Sequence, residues 1–290
     1  MIILSIIILS YNTKDLTRRC VESVAKQYEK ELEEKRMEII VVDNDSVDDS
    51  VSILLGLKKK TSNVSIIQNK ENVGFAKGCN IGSKAAKGKY VLFLNSDTQV
   101  EDDGFIQMVK FLEKSPKVAI LGGKLENNNG SIQRSCGKFY NLFNLVIMLL
   151  GLERLGFLRS SPDTIQKVDW VSGACMMVRS DVFKKLTGFD EKFFMYMEDM
   201  EICFRAQKLG FSTYFYPHLD LKHKSWGSSN RAFAIINIYR GILHFYSKHK
   251  NPFEYIIAKT LLVTKAEILI LVGFLIFNKS LIERYRKAMP

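Results

Sequence analysis

Four short runs rich in β-branched and apolar residues, at 2–9, 38–43, 64–68 and 90–97, alternate with segments whose apolar residues recur every three to four positions. Repeated switching between a period of two and one of 3.6, across short connections, argues for strand–helix–strand units and a parallel, doubly wound sheet. The first helical segment carries Leu16, Cys20, Val24 and Tyr28, the second Ile53, Leu54 and Leu57, and the third leads from Asn72 to near Gly88.

Three of these runs stop at polar residues: Ser10-Tyr11-Asn12, Asp43, and Asn95-Ser96-Asp97. Open α/β sheets bind ligands outside the carboxyl ends of their strands, so neighbouring tips of this kind converge on one crevice. An ionised Asp43 accepts hydrogen bonds from a base or a ribose, although an Asx-turn explains it equally well. The same choice, ligand group or plain turn, stands for Asp97.

Asn72-x-Gly74-Phe75-Ala76-x-Gly78 sets two glycines around a small alanine, which lets backbone approach a ligand or bend tightly. It is neither G-x-G-x-x-G nor a P-loop, so dinucleotide binding and ATP hydrolysis lose ground. Farther on, a strand-like run at 168–178 passes through Gly173-Ala174, where small residues leave room for a substrate or mark a bulge. Glu198, Asp199 and Glu201 then open a helix that ends at Gly210. The helix dipole accounts for acids there; the bulky Phe193, Phe194, Met195, Tyr196 and Met197 before them instead fit a carboxylate at the floor of a pocket. His223 follows a strand-like stretch and is either a metal ligand or a structural histidine.

The net charge of +11 favours an anionic partner without naming it. Basic residues are scattered, with Lys58-Lys59-Lys60 reading as a solvated helix end, and no basic-aromatic motif for nucleic acid is present. The five cysteines lack C-x-x-C spacing, which fits reduced thiols rather than zinc or disulfides. The opening IILSIIILS lacks a basic n-region and a small-residue cleavage site, so it reads as a first buried strand. Residues 139–158 are apolar but broken by Glu153 and Arg154, as in a lid, a surface-seeking segment or a core helix. The stretch 255–277 contains Lys259, Lys265 and Glu267; interfacial membrane contact, plain packing and oligomer contact all fit it better than a spanning helix of about 20 apolar residues.

Taken in order, SYN, VVDNDSVDDS, NVGFAKGCNIG, LFLNSD, SGACMMVRSDVF, GFDEKFFMYMEDMEICFRAQKLG and HKSWGSS resemble the inverting glycosyltransferases of family 2, in particular their rhamnosyltransferase-like branch. The resemblance covers residues 1 to about 245. It implies a GT-A fold, a Rossmann-like, mostly parallel α/β sheet flanked by helices: 1–100 binds a nucleotide sugar, 101–245 binds the acceptor, and 246–290 forms a C-terminal helical extension that can touch a membrane. It further implies that Ser10, Tyr11, Asn12 and Asp43 hold the nucleoside and that Asn72, Gly78, Asn95 and Ser96 line the nucleotide cleft. Asp97 and His223 would bind a divalent cation, Mg2+ or Mn2+, with Asn95 standing where similar enzymes often carry a first carboxylate. Asp199 would be the general base and Glu198 would orient the base or the acceptor. Gly173, Ala174 and Trp226 would contact the acceptor.

The expected activity is transfer of a hexose or deoxyhexose from a UDP- or dTDP-sugar to a lipid-linked cell-surface glycan, by a cytoplasmic protein that can sit peripherally on the inner face of the membrane. An oligomer is compatible with it. Rival classes are a sugar nucleotidyltransferase, which would release pyrophosphate, a basic nucleic-acid-binding module, and a degenerate transferase serving as a scaffold.

Overall fold

The computed structural model describes residues 1–224 and 231–289. Its first half follows the predicted alternation: β1 (Leu4–Ser10), α1 (Lys14–Gln27), a short α2 (Glu29–Glu33), β2 (Met37–Asp43), α3 (Ser50–Lys60), β3 (Val64–Gln68), α4 (Phe75–Ala85) and β4 (Tyr90–Asn95). After β5 (Thr98–Val100), α5 (Gly104–Lys114) and β6 (Val118–Gly123), the chain makes short strands β7 (Leu125–Glu126), β8 (Ile132–Gln133) and β9 (Cys136–Gly137). It continues through α6 (Leu142–Leu149), a 3-10 turn at Leu152–Leu155, β10 (Arg159–Ser160), β11 (Gln166–Val168), β12 (Trp170–Val171) and β13 (Cys175–Arg179). Then come α7 (Ser180–Lys185), α8 (Glu198–Lys208), β14 (Ser212–Tyr216), β15 (Leu221–His223), α9 (Arg231–His249), α10 (Pro252–Leu275) and α11 (Lys279–Ala288).

The central sheet runs β11-β14-β6-β13-β4-β1-β2-β3. β1 pairs in parallel with β2 and β4, and β2 with β3, as the alternation requires. β13 departs from that scheme: it is antiparallel to both β4 and β6, and β11 is antiparallel to β14. The sheet is therefore mostly parallel but not uniformly so.

Successive strand residues point to opposite faces, and the core records this. Ile6, Ile8, Ile39, Val41, Leu92 and Leu94 belong to one buried cluster, whereas Ile7, Ile40, Val42 and Phe93 belong to the other. Both faces are covered, which is why these strands read as continuous apolar runs. Each fully buried aliphatic side chain contributes about 1.5–3 kcal/mol.

Two small sheets hang from this platform. One, β5-β15-β7-β8, places His223 opposite Thr98. The other, β10-β9-β12, sets Arg159 and Trp170 on either side of Gly137.

α9 continues through position 245, where the sequence places the end of the first domain, and α10 packs against α9, α11 and α6. A buried ion cluster fixes α9 to α8. Glu201, fully buried, accepts from Arg205 at 2.8 Å, Lys248 at 2.8 Å and His249 at 2.9 Å. Its burial would raise the carboxyl pKa, but the hydrogen bonds of His249 and Arg205 outweigh that and hold it at about 2. Glu201 thus belongs to the scaffold. Gly210, with φ of +82°, takes the left-handed position just past α8.

Candidate active site

The carboxyl ends of the parallel strands meet as predicted: Ser10 pairs with Asp43, Leu9 with Asn95, and Asp43 with Gln68. Their side chains do different things. Ser10 is fully buried, with Oγ 3.0 Å from Thr17 Oγ1, so its hydroxyl packs the loop from within and does not face a nucleoside. Tyr11 is exposed, and Asn12, at φ +52°, accepts from the Val47 N–H at 2.8 Å. Asp43 is buried and accepts from the Ser46 hydroxyl at 2.6 Å and the Ser46 N–H at 3.0 Å, an Asx-turn that fixes the carboxylate at the strand tip.

Asn44, not singled out by the sequence, is the hub beside it. Its side-chain amide donates to Gly74 C=O at 3.1 Å and to Asn72 Oδ1 at 3.3 Å, and its Oδ1 accepts from Asn69 at 2.7 Å. Asn72 in turn accepts from the Gly74 N–H at 3.0 Å. Gly78 serves packing: a Cβ there would lie 2.4 Å from Leu9 Cδ1, so the close approach is of α4 to β1 and not to a ligand.

At the tip of β4, Ser96 is buried with Oγ 3.4 Å from Thr13 Oγ1. Asp97 is also buried, and its Oδ1 receives no hydrogen bond although His223 Nε2 lies 3.2 Å away. The imidazole's partners explain this. Gln133 donates its amide N–H to Asn127 Oδ1 and to the His223 carbonyl, each at 2.7 Å, which leaves Gln133 Oε1 to accept from His223 Nδ1 at 2.7 Å. With the proton on Nδ1, Nε2 has none to give to Asp97 and accepts instead from Asn95 Nδ2 at 3.3 Å. A carboxylate oxygen thus lies 3.2 Å from an imidazole nitrogen whose lone pair is held only by the 3.3 Å bond from Asn95, and a cation that displaced this bond would find two ligand atoms side by side. Among the described residues no three His, Cys, Asp or Glu side chains gather into a complete metal site, so the remaining ligands would come from a bound substrate. A cavity of about 90 Å³ beside Asp97 is rimmed by Arg19, Lys224 and Lys222; Lys222 is paired with Glu126 at 2.8 Å, and the charges of Arg19 and Lys224 suit phosphate.

The second carboxylate centre is Glu198-Asp199, at the start of α8. Tyr196 and Met197, with φ of +70° and +74°, approach it in the left-handed region, which costs about 1–3 kcal/mol for each non-glycine residue. Packing holds them: Phe194 C=O accepts from the Phe75 N–H at 2.6 Å, and Gly241 lies so close that a Cβ would meet Met197 Cγ at 2.8 Å.

Asp199 Oδ2 accepts from the Gly173 N–H at 3.1 Å and Oδ1 from the Met200 N–H at 2.8 Å. Burial raises its pKa, opposed by those N–H groups and by the charge of Arg159. Glu198 Oε2 is buried without a hydrogen bond, and burial followed by the Asp199 charge pushes this carboxyl well above its ordinary range. Both carboxyls are thus raised by burial, and backbone N–H groups stabilise the ionised form of Asp199 through its two oxygens while the Glu198 Oε2 has no such donor.

Gly173 and Ala174 form the tight turn between β12 and β13. Gly173 orients Asp199, and Ala174, expected at the acceptor, is buried with its C=O accepting from the Asn95 N–H at 3.0 Å. Trp226 lies outside the described residues.

Residues 5–187 match the family model described as glycosyl transferase family 2. The poly(ribitol-phosphate) beta-glucosyltransferase of Bacillus spizizenii is 36% identical over 129 residues, 44% of this chain and 20% of that protein. An N-acetylglucosaminyl-diphospho-decaprenol L-rhamnosyltransferase of Mycobacterium tuberculosis is 23% identical over 246 residues, 77% of this chain and 75% of the relative. The chain thus spans a fifth of the first relative and three-quarters of the second. Among solved structures, the mannosyltransferase PcManGT from Pyrobaculum calidifontis, in complex with GDP-Man and Mn2+, superposes with a TM-score of 0.58 at 15% identity, over 98% of this chain and 84% of that one. That likeness is one of fold, and the fold is GT-A.

Proposed function

The chain belongs to glycosyl transferase family 2, and on that premise we propose that it is an inverting enzyme moving a hexose or deoxyhexose, rhamnose-like, from a UDP- or dTDP-sugar to a lipid-linked cell-surface glycan. The observation that carries this is the turn at 172–174, which ties the Asp199 carboxylate to the tip of β4, next to Asp97. One side of the turn offers a base for a sugar hydroxyl; the other offers a place for a nucleoside diphosphate.

In this reaction Asp199 takes the proton of the acceptor hydroxyl as its oxygen attacks the anomeric carbon. The new carbon–oxygen bond forms on the face opposite the breaking bond to the diphosphate, so the centre inverts and one base suffices. Glu198, buried beside Asp199 with its pKa raised, would orient the acceptor or the base, while the Gly173 and Met200 N–H groups hold the Asp199 carboxylate. Tyr11, Asn12 and Asp43 hold the nucleoside, and Asn72, Asn95 and Ser96 shape the cleft floor through the hydrogen bonds of Asn44, His223 and Thr13. Asp97 and His223 would hold a divalent cation, Mg2+ or Mn2+, which when bound offsets the charge of the departing nucleoside diphosphate. In this division of labour 1–100 serves the donor, 101–245 the acceptor, and 246–290 the membrane.

The acceptor class follows the relatives, whose names specify a poly(ribitol-phosphate) and a diphospho-decaprenol sugar. A lipid-linked acceptor calls for a membrane contact, and no helix among the described residues is long and apolar enough to cross one. α6 and α10 touch, and each leaves an apolar stripe exposed: Phe143 and Val146 on the first, continued by Leu150 just past its end, and Ile268, Leu271 and Leu275 on the second. Basic Arg284, Arg286 and Lys287 lie on the adjoining α11. These features support peripheral binding to an anionic bilayer from the cytoplasmic side.

The test is a screen of UDP-, dTDP- and GDP-sugars by thermal shift with and without Mn2+, followed by turnover with the donor that stabilises most. Release of nucleoside diphosphate with formation of the inverted glycoside is expected. Release of pyrophosphate would instead identify a nucleotidyltransferase.

A further inference from the structure

Among the described residues Arg159 is a cation with no protein acceptor. Its Nε is buried and unbonded, and no hydrogen bond or ion pair from any of its five N–H donors is formed among the described residues. Such a group is costly to keep unless something else satisfies it. Its position is nevertheless fixed. Arg159 and Trp170 pair with the same residue, Gly137, from the two neighbouring strands, and the guanidinium sits 5.2 Å from the centre of the Trp170 ring. Trp170 is itself locked, donating its indole N–H to Lys138 C=O at 3.0 Å, while at Gly137 a Cβ would crowd the indole at 3.0 Å. The strand that carries Trp170 leads straight into the turn whose Gly173 N–H holds Asp199.

We propose that Arg159 is an anion subsite for the acceptor, binding a phosphate or diphosphate group next to the sugar whose hydroxyl faces Asp199. A guanidinium held over an indole presents its free N–H fork to a phosphate in a bidentate manner, which a flexible lysine does not reproduce. The assignment to the acceptor side rests on neighbours. Arg159 acts electrostatically on Asp199 and on Tyr140, whose phenol is 3.4 Å from Glu153 Oε2, whereas the donor-side cations Arg19, Lys222 and Lys224 rim the cavity at Asp97. Glu153 accepts from the Tyr140 hydroxyl and forms no ion pair with Arg159 among the described residues, so it does not neutralise the guanidinium by pairing with it. The proposal depends on the glycosyltransferase reading and refines its acceptor.

The experiment compares two acceptors with one sugar, an alkyl-diphosphate-linked form and a neutral alkyl glycoside, in wild type, Arg159→Gln and Arg159→Lys. A separate arm measures binding of a short-chain prenyl diphosphate by calorimetry, without donor. Arg159→Gln is expected to lower the preference for the diphosphate acceptor about tenfold to a hundredfold, to weaken prenyl diphosphate binding in parallel, and to leave the donor KM within about twofold. Arg159→Lys recovers only part of the preference and keeps the fold testable where Gln disturbs it. An increase in donor KM with unchanged acceptor preference assigns the guanidinium to the donor and overturns the proposal. So does an equal loss for both acceptors, or a stronger preference for a carboxylate-bearing acceptor. If wild type binds the prenyl diphosphate through Arg159 yet turns over no nucleotide sugar, the activity fails while the anion subsite stands.

Discussion

The Gly173 N–H donates to Oδ2 of Asp199 at 3.1 Å, and one residue later the Ala174 C=O accepts from the Asn95 N–H at 3.0 Å. A single three-residue turn, 172–174, therefore sets the distance between the proposed base and the tip of β4 beside Asp97. Because β13 enters antiparallel to β4, that turn falls at the carboxyl end of β4, beside Asp97, instead of at the far edge of the sheet.

As the proposed base, Asp199 must be ionised, and its raised pKa should move the acid limb of kcat/KM above the ordinary aspartate value near 3.8: activity should fall as pH drops through that limb. The limb belongs to the Glu198-Asp199 pair, not to one residue. Asp199→Asn is expected to cost about 10²–10⁴ in kcat with donor binding retained. Glu198→Gln, which mimics the neutral acid, should stay within about tenfold of wild type. Steady-state rates from pH 4 to 9 decide; a Glu198→Gln enzyme as inactive as Asp199→Asn would mean that Glu198 works as an anion.

Gln133 fixes the His223 tautomer from β8, through a contact 90 positions away in sequence. Gln133→Leu removes that acceptor and frees Nδ1, so Mn2+ binding should weaken about 10–100-fold, as is usual for partners that orient a ligating histidine. Asp97→Ala should lose Mn2+ and donor binding together. Titration calorimetry with Mn2+ measures both; an EDTA-treated protein with undiminished transfer would remove the cation from the mechanism.

The alternation of strands and helices was legible because short, β-branched apolar runs bounded by polar turns alternate with longer segments of helical period. β13 was legible as a strand but not in direction, since CMMVR reads the same either way and only its turn decides. At the site, carboxylates stood out, while the neutral groups that position them did not. Asn44 sits unmarked beside Asp43 within VVDNDSVDDS and Gln133 in a polar stretch that matches no motif, and their function arises from partners up to 90 residues distant. Arg159 stands in an unremarkable RSSPD segment, and only the pairing around Gly137 places it on Trp170. Conversely, Ser10 and Gly78 lie in conspicuous motifs but are used for internal packing.

The exposed stripes of α6 and α10 predict salt-sensitive, composition-sensitive membrane binding. Wild type should float with vesicles rich in phosphatidylglycerol and much less with pure phosphatidylcholine. Leu271→Glu and Phe274→Glu each remove apolar area from a surface-facing side chain and add a repelled charge, so bound protein should drop several-fold with little change in thermal stability. Floatation at two salt concentrations checks this; a variant that binds as wild type but changes oligomeric size would turn the stripe into a subunit contact.

Glu201 gives the fold a defined acid sensitivity. Its carboxyl is held at about 2 in the folded protein against an ordinary 4.5, so its stabilisation is complete above pH 4.5 and disappears as pH falls toward 2. The shift corresponds to about 3 kcal/mol. Glu201→Gln leaves Arg205, Lys248 and His249 facing an uncharged partner and should cost about 3–5 kcal/mol at neutral pH, lowering Tm on the order of 10 °C. The variant should also lose part of the wild-type slope of stability below pH 4.5, because the titrating group is gone. Asp190, held low despite burial by Lys248 and His244, supplies the slope that remains. Urea unfolding at pH 3, 4.5 and 7 separates the two contributions; parallel curves for wild type and Glu201→Gln would show that the cluster is not the acid-labile element.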